Sequence, residues 1–143
     1  MMDCDWLLPL LNKPWRAYAT GPKAYDCWGV VYAAFPHVVG ASVKRHLDVK
    51  SNCPRAFEKA VADEIATGAW EQIPEPEHGC LVLLGTGTEL RHVGLWLAIN
   101  GGRMLHSIEG AGVQLDGRAH LSNYHRIEYW RYVGFKPPCS TAA

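Results

Sequence analysis

Cys27 stands where its sulfur could act as a nucleophile. Asp26 precedes it and is a good helix N-cap, and apolar residues at positions 27, 30, 31 and 34 keep helical spacing. Cys27 therefore falls in the first turn of a predicted helix, where unpaired N–H groups and the helix dipole favour negative charge. We expect this placement to lower the pKa of the thiol and to supply donors for an oxyanion. The alternative is a small buried apolar residue, the usual state of a free cysteine.

His92 could serve as the base that this cysteine needs. It opens a predicted strand that runs through Leu97, and period-two alternation puts Val93, Leu95 and Leu97 toward the core. His92, Gly94 and Trp96 then share the opposite face. His106 follows on the next predicted strand. Each histidine alone is more often a surface or core residue, but together with a cysteine at a helix start they suggest a catalytic triad.

The spacing of these residues predicts helices first and strands afterwards. A short helix and a loop are expected in the first 25 residues, a helix from Cys27 that Pro36 ends, and a second helix from Pro54 through Ala66. Four β-rich segments follow, at 80–84, 92–99, 103–107 and 127–135. This order is typical of an α+β domain with helices packed on one side of an antiparallel sheet, and 143 residues suit one domain over 1–143.

The hairpin at Asn100-Gly101-Gly102 leaves the partner of His92 open. A three-residue loop would put His92 and His106 on the same sheet face, four residues out of direct opposition, or roughly 13 Å along the strand. A two-residue loop would put them on opposite faces, and Glu109 would face His92 instead.

Composition excludes several other classes of function. The 14 basic and 14 acidic residues balance, so nothing points to nucleic acid or an anionic membrane, and no segment approaches the roughly 20 apolar residues of a membrane span. The five cysteines, at 4, 27, 53, 80 and 139, form no C-x-x-C pair, so reduced thiols are expected and no metal site. Asp3 and Asp5 stand where a signal peptide needs positive charge, which predicts a soluble protein without an export signal.

The segment Tyr25-Asp26-Cys27-Trp28-Gly29-Val30-Val31 resembles the signature of the NlpC family of bacterial cell-wall cysteine peptidases. Further blocks match the family in order and approximate spacing across roughly residues 12–135: Lys13-Pro14-Trp15, Gly79-Cys80-Leu81-Val82-Leu83, His92-Val93-Gly94-Leu95-Trp96-Leu97 and Met104-Leu105-His106. The Asp-Cys-Trp-Gly form and the small size are most similar to the branch encoded in tailed-phage tail-gene clusters.

This resemblance implies a papain-like fold with Cys27 as nucleophile, His92 as base and His106 as the residue that orients His92. It implies a substrate among peptidoglycan stem peptides, commonly cut between D-γ-glutamate and a diamino acid. It implies no metal or organic cofactor. A protein made in the cytoplasm, carried on a virion tail with tail-tip proteins as partners and acting at the cell wall would fit the phage branch.

Several neighbours of the nucleophile are candidate substrate contacts. Trp15 stands where the family often has a Tyr that lines the oxyanion site, and bulky Trp28 replaces the commoner Ser after the nucleophile. Tyr25 and Trp28 could wall the cleft or simply pack, and Trp96 could line a groove. Asp26 could contact a substrate amine, although an N-cap is the favoured interpretation. Ser107 and the segment 109–112 are expected to form a loop near the cleft.

Two other functions fit the same residues. One is a structural tail-tip or assembly module that keeps the fold with little activity, and the joint presence of Cys27, His92 and His106 argues against it. The other is an acyltransferase that passes the thioester to an amine or lipid, which an apolar cleft lined by Trp15, Trp28 and Trp96 would favour.

Overall fold

The computed structural model describes residues 4–45, 54–87 and 89–134 of the chain. Cys53 and Cys139 lie outside these residues, and the described cysteines, Cys4, Cys27 and Cys80, are free thiols. No helix within the described ranges has the length and apolar character needed to cross a membrane. The elements in chain order are α1 Cys27–Val38, α2 Pro54–Ile65, β1 Trp70–Ile73, β2 Leu81–Thr86, β3 Glu89–Leu97, β4 Arg103–Ile108, β5 Gly112–Asp116, α3 Arg118–Leu121 and β6 Arg126–Tyr132.

Helix α1 begins where the sequence predicts and ends later. The Asp26 carboxylate accepts the Gly29 N–H at 2.5 Å, as an N-cap does. The prediction that Pro36 ends this helix was wrong, because α1 continues to Val38 with Pro36 inside it. Proline removes only one intrahelical donor, and the N–H groups of Val39 and Gly40 still donate to carbonyls of the last turn.

Within the residues that the structure describes, six strands form one antiparallel sheet in the order β1-β6-β2-β3-β4-β5. The sequence predicted four of these strands, and missed the two at the edges, β1 and β5, as well as α3. Both edge strands are short, with four and five residues, so they carry little periodic signal. Helices followed by a central antiparallel sheet confirm the predicted α+β class.

The two faces of the sheet carry two separate apolar cores. Val93, Leu95 and Leu97 pack in the larger core with α1, which confirms the predicted core face of β3. Trp96 and Met104 lie in a smaller core on the opposite face. The helix-facing core thus holds α1 against the sheet, and with it the cysteine at the start of the helix.

The segment before α1 forms turns and isolated bridges where a short helix was expected. Its apolar residues Leu7 and Leu10 still enter the larger core. Backbone hydrogen bonds join this segment to the edge strand β5, from Asn12 N–H to the Val113 carbonyl at 3.0 Å and from Val113 N–H to the Lys13 carbonyl at 2.9 Å. These hydrogen bonds therefore fix the segment against the β5 edge of the sheet.

Candidate active site

The start of α1 is held in place by a loop carbonyl that only glycine admits. A Cβ on Gly29 would lie 1.9 Å from the carbonyl oxygen of Ala19, so this position of the signature needs a residue without a side chain. That same carbonyl accepts the Asp26 N–H at 2.9 Å, and the Asp26 carboxylate accepts the Tyr18 N–H at 3.0 Å. Cys27 therefore projects from a helix start that is fixed on both sides.

A second tether joins the residues before Cys27 to the sheet. The Ser107 hydroxyl, buried on β4, donates to the Tyr25 carbonyl at 2.7 Å. The backbone N–H of Val93 on β3 lies at the Cys27 sulfur. The expectation that Ser107 belongs to a solvated loop was wrong, since this residue pairs with Val113 inside the sheet. Strands β3 and β4 thus both contact the start of α1.

The His92 and His106 side chains meet on the sheet. Nε2 of His92 lies 2.8 Å from Nδ1 of His106. Leu97 pairs with Arg103, so the hairpin loop spans 98–102, and Leu95 pairs with Leu105. Neither predicted loop length occurs: in this register His106 is two residues, not four, from the position opposite His92.

Gly94 allows this close approach between β3 and β4. A Cβ at Gly94 would lie 2.7 Å from the Leu105 carbonyl oxygen and 2.5 Å from Cε of Met104. The missing side chain therefore leaves room for the neighbouring strand beside the two histidines. Between His106 and Glu109, the structure places His106 against His92.

Cys27 and His92 line one cleft of about 230 Å³. Its other walls are Trp15, Arg91, Ser107, Ile108, Glu109 and Tyr124. Trp15 reaches the cleft because its backbone bridges to Tyr25, two residues before the cysteine. Arg91 and Glu109 are exposed, so the cleft offers both signs of charge next to the sulfur and the imidazole.

Burial dominates the protonation of both groups. Burial, together with the Asp26 carboxylate, raises the pKa of Cys27 to about 12, although the N–H groups of Val93, Trp28 and Cys27 itself act in the opposite direction. Burial, with the neighbouring His106 and His120, lowers the pKa of His92 to about 3. The helix start does favour the thiolate, but the predicted net lowering of the thiol pKa was wrong, because desolvation is the larger effect. Both shifts favour the neutral form, a thiol at Cys27 and an uncharged imidazole at His92.

Four of the candidate substrate contacts do not line the cleft. Trp96 packs in the smaller core with its indole beside Gly102, and Tyr25 is buried against Gly21. Trp28 points away, and its indole N–H donates to the Lys44 carbonyl at 2.9 Å. Asp26 serves as the N-cap. Tyr25, Trp28 and Trp96 thus belong to the apolar cores, and Asp26 caps α1.

Asp116 joins the site without having been predicted from the sequence. Its Oδ2 lies 2.6 Å from Nε2 of His106, on the side of that ring away from His92. Asp116 ends β5, a strand that the sequence did not predict, so the pairing of Asp116 with β4 was not predicted either. The alternation of Val113 and Leu115 around Gln114 was the available signal for this strand.

A cysteine at a helix start, a histidine on a neighbouring strand and a polar residue on the far side of that imidazole define a papain-like cysteine peptidase. The chain belongs to the NlpC/P60 family, whose model matches residues 12–134. A solved structure described as the NlpC/p60 domain of the peptidoglycan hydrolase SagA is similar to this chain. The two sequences are 16% identical, and the structures superpose with a TM-score of 0.54. The match covers 82% of this chain and 86% of the SagA domain chain. No curated protein matches the chain significantly.

Proposed function

We propose that the chain hydrolyses peptidoglycan stem peptides, with Cys27 as the nucleophile, His92 as the base and His106 as the residue that orients His92. The observation that carries this proposal is the cleft shared by Cys27 and His92, with His106 2.8 Å behind the imidazole. Family membership and the peptidoglycan hydrolase among the similar structures support the substrate class.

Because both groups rest neutral, the reaction begins with proton transfer from the Cys27 sulfur to His92 as the sulfur attacks the scissile carbonyl. Backbone N–H groups of Val93, Trp28 and Cys27 lie at the sulfur, and those of Cys27 and Trp28 at the helix start are the proposed donors for the oxyanion. His92 then returns the proton to the leaving amine, and the thioester forms. The same imidazole next takes a proton from water as the water oxygen attacks the thioester carbonyl. The C–S bond then breaks, the acid is released, and His92 returns the proton to the Cys27 sulfur.

The charges of the cleft support cleavage between D-γ-glutamate and a diamino acid. A γ-linked glutamate keeps its α-carboxylate free beside the scissile bond, and Arg91 offers a cation next to His92. Glu109 offers an anion that could receive an amino group of the stem peptide. Of the three tryptophans considered for an apolar groove, only Trp15 lines this cleft. The lining therefore favours a charged peptide over a lipid acceptor.

We further propose that the protein is associated with a phage tail and acts at the cell wall. The Asp26-Cys27-Trp28-Gly29 form of the signature supports this place of action. Detection of the chain by mass spectrometry in purified tailed particles would support it. Its absence from such particles, when the tail proteins are recovered, would contradict it.

The test of the activity is incubation with muropeptides and mass analysis of the products. Wild type is expected to release fragments cut within the stem peptide, and Cys27→Ala to release none. Cys4→Ala is the matched control, since Cys4 lies in the N-terminal turns away from the cleft, and it should cleave like wild type. Equal cleavage by Cys27→Ala would refute the proposal. A product joined to an added amine, without free acid, would indicate acyl transfer instead.

A further inference from the structure

The hydrogen-bonded chain behind the base does not end at His106. Nδ1 of His106 faces His92, and its Nε2 lies 2.6 Å from Oδ2 of Asp116. His106 is fully buried, whereas the side chain of Asp116 is 26% exposed. Asp116 pairs with Met104 in the sheet, so its side chain lies on the same face as His106. Both nitrogens of the buried ring thus have a defined partner.

A carboxylate can only accept hydrogen bonds, and this fixes the proton on each ring. His106 must donate to Asp116 through Nε2–H. Burial lowers the pKa of His106 even though Asp116 acts in the opposite direction, so the ring is neutral and its Nδ1 carries a lone pair. That lone pair accepts the Nε2–H of His92. Nδ1 of His92 then carries its own lone pair and can take the proton of the thiol.

We propose that Asp116 is a positioning residue that sets the tautomers of both His106 and His92 through this chain of hydrogen bonds. This role rests on the proposed function of Cys27 and His92. Asp116 touches neither of them, so it acts only through His106. Without an acceptor-only group at position 116, His106 can donate from Nδ1 instead of Nε2. His92 must then accept at its Nε2, so the proton of His92 sits on Nδ1, where it prevents His92 from acting as the base.

His120 is a further titratable neighbour of this pair. Its Nδ1 lies 4.0 Å from Oδ2 of Asp116, and its ring packs edge-on to His106 with centroids 5.2 Å apart. Within the described ranges, ligand atoms of His106, Asp116 and His120 lie within 4.8 Å of one another, a spacing that a divalent cation could also use. A cation bound to Nε2 of His106 would replace the proton that this nitrogen donates to Asp116. Binding a metal and setting the tautomer of His106 therefore exclude each other.

The first test is the tautomeric state of wild type, read from histidine ring ¹⁵N shifts in the full chain without substrate. The proposal expects Nε2–H on both His92 and His106, unchanged by EDTA. Nδ1–H on His92 would overturn it. The proposal would also be overturned if the protein carried a bound metal and the His106 Nε2–H appeared only after EDTA had removed that metal. Because this measurement needs no turnover, it separates the proposal from the identity of the substrate.

The second test compares Asp116→Asn with Asp116→Glu. The amide can donate to His106, so Asp116→Asn should shift His92 toward Nδ1–H and lower kcat at least about 10²-fold with KM within about twofold. The equivalent change in a serine protease triad lowers kcat about 10⁴-fold. Asp116→Glu keeps an acceptor-only group and should retain the wild-type tautomers and most of the activity.

Glu71→Gln, a carboxylate-to-amide change on the far edge strand, is the control and should leave both readouts unchanged. A folded Asp116→Asn protein with wild-type tautomers and kcat would overturn the proposal. So would an Asp116→Glu protein that keeps the tautomers but loses activity as fully as Asp116→Asn. If Asp116→Asn does not fold, the wild-type tautomers and the tautomers and activity of Asp116→Glu still test the proposal.

Discussion

Adding one methyl group at Gly94 should separate the two histidines without touching either of them. A Cβ there would lie 2.7 Å from the Leu105 carbonyl oxygen, whereas ordinary contact begins at 3.4 Å. Strand β4 must therefore recede by about 0.7 Å, since a backbone oxygen cannot rotate away as the end of Met104 can. The His92 to His106 separation of 2.8 Å would then grow to about 3.5 Å, the outer limit of a hydrogen bond.

Two consequences of Gly94→Ala are expected. Overpacking should reduce the free energy of unfolding by about 1–3 kcal/mol, measured by urea denaturation. The loss of a positioned base should lower kcat on a stem peptide about 10²-fold, with KM little changed. Gly117→Ala is the matched control: its backbone is in an ordinary conformation, and the new Cβ would meet only the end of the Arg103 side chain at 3.1 Å. A folded Gly94→Ala protein with the kcat of wild type would refute this reasoning.

Three further predictions follow from the same geometry. Asp26→Asn keeps a good N-cap but removes the negative charge that raises the pKa of Cys27, so iodoacetamide should alkylate Cys27 faster at pH 8, measured against a Cys27→Ala background; an equal or slower rate would contradict this. The pKa of His92 is lowered from 6.5 to about 3 in the folded chain. Between these two pH values His92 is therefore protonated in the unfolded chain and neutral in the folded chain. The free energy of unfolding should therefore fall as pH drops through that range, by up to about 1.4 kcal/mol per pH unit, and the slope should be smaller in His92→Gln. Ser107→Ala removes the 2.7 Å hydrogen bond to the Tyr25 carbonyl and should cost about 1 kcal/mol of unfolding free energy and lower kcat more than it raises KM; unchanged kinetics would show that this tether does not position the nucleophile.

The sequence could predict those parts of the site that depend on local pattern. Asp26 as a cap, Cys27 in the first helical turn and the alternation that places Val93 toward the core each follow from neighbouring residues. The same local signals predicted the α+β class. The need for Gly29 became clear only from the structure, because the Ala19 carbonyl that excludes a side chain comes from a separate loop.

The remaining features depend on contacts distant in sequence. The separation of His92 and His106 depends on a five-residue hairpin loop, and the sequence offered only its Asn-Gly-Gly centre. Asp116 reaches His106 through a short edge strand with weak periodicity. The pKa of Cys27 is set mainly by burial, which the first turn of a helix does not reveal by itself. The sequence placed Trp96 on the correct face of β3, but it did not reveal that this face is packed at Trp96.

The most direct measurement of the central claim is to trap the thioester at residue 27. Wild-type protein mixed with a stem peptide is quenched in acid within the first turnover, digested and analysed by mass. The account predicts an acyl group on the peptide that contains Cys27, which disappears as free acid forms. Cleavage of the peptide with no acyl group on Cys27 at any time, or with one on another residue, would contradict it.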